Sequence, residues 1–390
     1  MENQEFVRKN FREYYSTRWI QAPSRIGMRE WGIGEWHKKI YARHLSFTSD
    51  KELNAYLRTN TPFFISYSVA YYDFPTARPM ENKRWLGADL VFDLDADNIV
   101  KCGTHPAGWV CEKCLDAVKE ETIKLVEEFL VPDFGFSHDE IALNFSGNRG
   151  YHVHVRSENV WQLGAAERGE ISDYMTGVGI ELFQGLFTIK EGGRFNIGIG
   201  PKPDEGGWRG KIARKFIEAL EKETLHEYGI SDREAVGYYR KKEALIRAIK
   251  NGKWEELDRI KEGEGLEDRK QPRVLKKFIE NVSVRLGDDV DRNVTRDVTK
   301  LIRLPDSLHG DTGLVAKSLK FGELGRFDPM KDALAFGNRQ VSLVVESTPE
   351  FVLGGETFGP YENVRADLPL YAAVYLICKG TASILKTNEK

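Results

Sequence analysis

Residues 87–97 read GADLVFDLDAD, and they decide how the rest of the chain is read. Asp89, Asp93, Asp95 and Asp97 fall on odd positions, and Leu90, Phe92 and Leu94 on even ones. A strand sends alternate side chains to opposite faces, so this pattern predicts one apolar face and one row of carboxylates. Asp93 and Asp95 lie within the apolar segment LVFDLD, where idle charge is costly. Two neighbouring carboxylates stay ionised together only beside a cation, and magnesium or manganese takes such oxygen ligands. Asp89 and Asp97 are expected at the solvated ends of the strand.

Strand signals also surround this stretch. REWGIGEWHKKIYARHLSF (29–47) predicts paired strands around Gly32 and Gly34, and PFFISYSVAYYDFP (62–75) is β-rich. After the acidic strand, Leu115, Val118, Val126 and Phe129 have the spacing of an amphipathic helix. EIALNFSGNRGYHVHVRS (140–157) then predicts strand, glycine turn and strand. Strand, helix, strand is the order of a crossover unit. Residues 208–280 are dense in Lys, Arg and Glu with helical periodicity, which predicts a helical insertion. The tail offers one strand, QVSLVVES, and one helix, DLPLYAAVYLICK.

Between the acidic strand and the helix stands CGTHPAGWVCEKC (102–114). Cys102, His105, Cys111 and Cys114 supply three thiolates and an imidazole, the four ligands of a closed tetrahedral zinc site. With no ligand position left open, such zinc is structural. Cys378, in an apolar stretch, is expected as a buried thiol.

Two further segments carry charge-recognition chemistry. In NFSGNRGYHVHV (144–155), Ser146 offers a hydroxyl and Arg149 a planar fork suited to phosphate oxygens, around a glycine turn. His152 and His154 then share one face of the following strand. In DRNVTRDVTKLIRLPDSLHG (291–310), Arg292, Arg296, Lys300 and Arg303 recur at helical spacing, which predicts a basic helix ended by Pro305, then a loop bearing His309. A phosphate ligand suits this stripe, and so does a solvated basic face.

The chain's 57 basic and 60 acidic residues leave a net charge of −3, so a nucleic-acid partner requires local basic surface. No apolar run has membrane-spanning length, and MENQEFVRKNFREYYSTRW lacks the apolar core of a secretory signal, so a cytoplasmic location is expected.

The order VFDLD, Cys/His cluster, SGNRGYHVHV and DRNVTRDVTKLIRLPDSLHG resembles the catalytic small subunit of archaeal and eukaryotic DNA primases, the archaeal branch in particular, over roughly residues 10 to 320. The resemblance implies an α/β (α+β) chain: a primase-type catalytic core of mixed sheets at 1–207 and 281–390, a zinc knuckle at 102–114, and a helical insertion at 208–280. It implies synthesis of RNA primers on single-stranded DNA by two-metal phosphoryl transfer. Asp291 becomes the third carboxylate, joining Asp93 and Asp95 around magnesium or manganese. Arg43, Ser146, Arg149, His152, Arg303 and His309 become nucleotide contacts. Asp311 stands where several relatives carry lysine, and Asn148 where some eukaryotic relatives carry arginine. The implied partners are a primase large subunit in a heterodimer, the template strand and nucleoside triphosphates, in the cytoplasm beside the nucleoid. Two other readings are a primase-like repair polymerase of the end-joining type and a non-catalytic zinc-stabilised binding module.

Overall fold

A computed structural model describes residues 2–99, 102–103, 105–106, 108–177, 186–187, 199–259, 273–287 and 295–385. The chain divides into two compact units, one of residues 1–123, 136–169 and 290–390 and the other of residues 124–135 and 170–289. The fold is α+β, with antiparallel sheets in the first unit.

Three sheets organise the first unit. One has the order β2-β1-β3-β9, from Lys38–Leu45 (β2), Trp31–Glu35 (β1), Phe64–Ser68 (β3) and Leu301–Arg303 (β9). The turn of the β1–β2 hairpin falls at Trp36–His37, and Gly32 and Gly34 lie within β1. A short ribbon follows, in which Ala70–Tyr72 (β4) pairs with Trp85–Ala88 (β5).

The second sheet has the order β10-β7-β8-β6, from Ser318–Leu319 (β10), Ile141–Phe145 (β7), Gly150–Val155 (β8) and Leu90–Asp95 (β6). β6 and β7 both run antiparallel to β8, so they are parallel to each other. Parallel strands need a crossover, which the helix Glu112–Lys124 begins to supply, and the tight hairpin from β7 lays β8 into the gap. Every residue of β8 is buried, as expected of a central strand.

The third sheet joins Tyr361–Pro369 (β14), Gln340–Thr348 (β11) and Ala382–Ile384 (β15), and Phe351–Leu353 (β12) pairs with Glu356–Phe358 (β13). The helix Leu370–Cys378 is buried along its whole length, and Cys378 is the buried thiol expected. The tail thus holds more strands than its one strand-like stretch predicts. β14 is an edge strand exposed for most of its length, so it carries no apolar alternation.

Two expectations are corrected. The basic helix expected up to Pro305 is not formed at its C-terminal end. Asp297 accepts from the Thr299 backbone N–H at 2.8 Å and from its hydroxyl at 2.7 Å, a local turn that competes with helix. Leu301–Arg303 then pairs with β3, Ser66 opposite Arg303. Asp89, expected in solvent, is fully buried. Its carboxylate receives Arg29 at 2.7 Å and the Tyr71 hydroxyl at 2.5 Å, and Arg168 donates to its carbonyl at 2.7 Å. Asp97 is exposed as expected.

The second unit is helical where it is described. Gly207–Glu221, Asp232–Arg240, Lys242–Lys250 and Arg273–Gly287 are its longer helices, and most of the segment 208–280 lies in them. Aromatic contacts hold them: Phe216 meets Phe278 at 4.7 Å between ring centroids, and Tyr228 meets Phe278 at 4.4 Å. Among the described residues no helix is long and apolar enough to cross a membrane.

Candidate functional site

The carboxylates of β6 face a row of polar side chains laid across three strands. In register, Asp93 stands opposite His152 and Asp95 opposite Gly150, while Asn144 of β7 flanks His152 on the other side. The Asn144 amide nitrogen donates to the Phe145 carbonyl at 2.9 Å, which fixes its orientation, and lies 3.2 Å from His152 Nδ1. His152 Nδ1 therefore accepts, and the ring proton sits on Nε2, which is 3.6 Å from Asp93 Oδ1. Burial first, then the positive charges of Arg303 and Lys300, push the His152 pKa down to about 3, against the pull of Asp95. The imidazole is neutral and presents one N–H donor.

Close approach explains the glycine at the start of β8. A Cβ on Gly150 would meet the Leu94 carbonyl oxygen at 2.0 Å, so a side chain here would push β8 away from Asp95. The turn before it is held by Ser146, whose Oγ accepts from the Asn148 and Gly150 backbone N–H groups at 3.3 and 3.2 Å. Arg149 leaves this turn toward the acids: Nη1 is 2.5 Å from Asp97 Oδ2 and Nε is 3.9 Å from Asp95 Oδ1. The carboxylate row is thus met by a guanidinium from the turn that precedes β8.

A basic half adjoins the glycine turn. The loop after β9 docks on the glycine turn, with Thr312 Oγ1 donating to the Gly147 carbonyl at 2.6 Å. A Cβ on Gly147, whose φ is +81°, would reach His309 Cβ at 2.9 Å, so the turn and the histidine loop fit only through a glycine. His309 Nδ1 accepts from the Asp311 backbone N–H at 3.2 Å, leaving Nε2 as the donor. Burial and the charges of Arg303, Lys39, Lys379 and His152 hold His309 well below the usual imidazole range. Arg303 lies over the Phe64 ring at 5.0 Å, and its Nη1 is buried with no hydrogen-bond partner among the described residues. Arg303 is near enough to His152 and His309 for its charge to act on both, and donors of these types suit an anion.

Arg43 belongs to a different network. Its guanidinium pairs with the buried carboxylate of Glu30 at 3.0 and 3.3 Å, which Lys83 also approaches at 3.6 Å. Asp291 lies outside the described residues. Sequence reading passed over Lys379, whose ammonium donates to the Gly108 carbonyl at 2.6 Å, and whose pKa burial and Arg149 lower to about 8. Its position, just past a wholly apolar helix, was the only signal.

The second cluster is a set of residues that could hold a metal ion. The ligand atoms of Cys102, His105, Cys111 and Cys114 lie within 4.8 Å of one another. Cys102 and Cys111 sulfurs are 3.8 Å apart, Cys111 and Cys114 3.5 Å, and His105 Nε2 is 3.2 Å from Cys114 Sγ. Metal–sulfur bonds of ~2.3 Å in a tetrahedron put sulfurs roughly 3.8 Å apart, so the set fits one ion. His105 Nδ1 lies 3.2 Å from the Pro106 carbonyl, and donating there frees Nε2 as the ligand atom.

A family model described as DNA primase small subunit matches residues 92–321. The chain is 38% identical to the DNA primase small subunit PriS of Methanothrix thermoacetophila, over 97% of this chain and 98% of that one. The chain belongs to the DNA primase small subunit family. A further small subunit, from Methanococcoides burtonii, is 35% identical over 97% of each chain, and one from Methanosarcina mazei is 35% identical over 97% of this chain and 95% of its own. A polymerase domain of Mycobacterium tuberculosis Ligase D in complex with DNA covers 84% of this chain and 83% of its own, at 11% identity and a TM-score of 0.32, too low to carry weight. The four sequence blocks that resemble primases are the ones that supply the acidic row, the turn, the basic half and the Cys/His loop.

Proposed function

We propose that this primase small subunit starts RNA primers on single-stranded DNA, joining nucleotides at the face where β6, β8 and the His309 loop meet. The observation that carries the reading is the division of that face into an acidic half, Asp93 and Asp95, and a donor half, His152, Arg303 and His309. Such a division suits a metal-bound triphosphate.

Asp93 and Asp95 have half-exposed carboxylates two residues apart on one strand, a donor set that fits magnesium or manganese. Asp291 joins them on this reading. A divalent ion held there supplies positive charge to the oxygens between which the phosphoryl group moves. The remaining steps are those of the chain's own residues. Arg303 Nη1 and the Nε2–H groups of His152 and His309 bind phosphate oxygens. Both imidazoles are neutral, so they donate without becoming acids near neutral pH. Arg149 exchanges Asp97 for a phosphate once the acids are neutralised. Ser146 holds the turn that aims Arg149, and Arg43, fixed by Glu30, borders the nucleotide. Unit one carries this chemistry as the catalytic domain, and the helical unit is an insertion into it.

The Cys/His loop holds structural zinc. Cys111→Ser with Cys114→Ser lowers the thermal midpoint while nucleotide affinity in the folded fraction is kept; lost affinity at unchanged stability would contradict the structural role. The large subunit, the template strand and nucleoside triphosphates are the partners, in the cytoplasm.

The test is dinucleotide formation from nucleoside triphosphates on a single-stranded template with magnesium or manganese, against extension across a gapped duplex. De novo formation is expected. Gap filling without initiation would indicate a repair polymerase, and neither activity nor metal-dependent nucleotide binding would indicate a scaffold.

A further inference from the structure

The strand β2, KKIYARHL, holds three fixed cations and no carboxylate in a chain of net charge −3. It is the outer strand of its sheet, and Lys38 to Tyr41 are exposed. Tyr41 is 67% exposed, an unusual place for a large aromatic ring, and Lys38 Nζ stands 5.3 Å from its centroid. The loop after β4 repeats the pairing. Phe74 is 50% exposed, with the Arg84 guanidinium 5.7 Å from its ring centroid and steadied by Asp73 at 2.8 Å. Arg78 of that loop donates to the Arg43 carbonyl of β2 at 3.4 Å, so the loop that carries the second pair touches β2.

Two features decide between a protein strand and a polynucleotide as occupant. The β1–β2 ladder is interrupted by register shifts on both sides of Ile33, and lysines line its free edge; both blunt an edge against strand addition. Exposed rings beside cations are what a single strand requires, with bases to stack and phosphates to neutralise. The surface also reaches the site through the sheet: Gly34 of β1 packs against the Lys39 carbonyl and pairs with Phe64 of β3, whose ring packs against Gly310 next to His309.

We propose that the free edge of β2, with Phe74 and Arg84, is a track for the single-stranded template, on which bases stack against Tyr41 and Phe74 and phosphates meet Lys38, Lys39 and Arg84. The track rests on the template-copying reading above and adds where the template lies. It binds without sequence preference, since every base has a stacking face.

The test uses the full chain and a fluorescein-labelled oligo-dT, with anisotropy as the readout and calorimetric binding of a manganese nucleotide as the control. Tyr41→Ala is expected to weaken oligonucleotide binding roughly tenfold, the loss of one stacked base, while Tyr41→Phe keeps it. Lys38→Ala with Arg84→Ala is expected to flatten the dependence of log affinity on log salt by about 1.4, two single-strand phosphate contacts. Manganese-nucleotide binding stays unchanged in all three variants. Wild-type oligonucleotide affinity in Tyr41→Ala, or an unchanged salt slope in the double variant, would overturn the track. A wild-type chain that binds oligo-dT through Tyr41 yet makes no dinucleotide would defeat the primer-synthesis reading and leave the track standing.

Discussion

The two ends of β6 carry the same residue type in opposite circumstances. Asp89, just before the strand, is sealed from solvent with Arg29, Tyr71 and Arg168 around it. Asp93 and Asp95, at the far end, keep side-chain exposures of 28% and 36% and meet His152 and Arg149 at 3.6 and 3.9 Å. The first arrangement is saturated: each carboxylate oxygen has a short donor, and a guanidinium balances the charge. The second keeps both carboxylates partly in reach of solvent. One aspartate is enclosed by the fold, and on the proposed reading the other two hold a metal.

The largest effect that separates the two ends is on synthesis. Asp93→Ala or Asp95→Ala should lower dinucleotide formation by on the order of 10³-fold or more, with little change in thermal midpoint, because each removes a repelled charge. Unfolding of either variant would erase the distinction. Asp89→Ala should do the reverse. It leaves the Arg29 guanidinium buried without its counter-ion, which costs about 3–5 kcal/mol in denaturant titrations, while the nucleotide KM of the folded fraction is kept. A stable Asp89→Ala protein would show that the saturated end is dispensable.

Arg149→Ala sharpens the open end. Losing one charged donor to phosphate, ~1.5–3 kcal/mol, should raise the nucleotide KM roughly 10- to 100-fold with a nearly unchanged melting curve. The smallest effect comes from an ordinary partly exposed pair of the helical unit. Glu234 meets Lys277 at 2.9 Å and caps its helix through Ser231. Burial raises its pKa, but Lys277 and the Ser231 bonds outweigh it and bring the carboxyl to about 2. A depressed acid stabilises above its unfolded pKa, here ~4.3, and loses that contribution as pH falls toward 2. Glu234→Gln should therefore cost less than about 1 kcal/mol at pH 7, and the difference in thermal midpoint should vanish near pH 2.

Much of the site was legible because its parts are local. The alternation through LVFDLD, the Cys/His spacing and the SGNRG turn each lie within a few residues, and periodicity or ligand count reads them directly. The segment after residue 294 was misread because basic residues at spacings of four and three mimic a helix face. An Asp297 turn and the open edge of β3 decided for a strand instead. Asp89 was misread because its partners come from Arg29, Tyr71 and Arg168, far apart in sequence and marked by no pattern.

By itself the sequence determined the chemical types: a carboxylate pair on a strand, a four-ligand metal loop, a glycine turn with an arginine, and a histidine loop behind a basic segment. Short-range sterics and ligand counting are properties of consecutive residues, and folding does not alter them. Only the tertiary structure decided which charges are sealed from solvent and which keep access to it. It set His152 against Asp93, buried Arg303 Nη1 with no partner among the described residues, buried Asp89 and exposed Tyr41. Burial and pairing arise between strands brought side by side from distant parts of the chain, and GADLVFDLDAD contains no record of its neighbours.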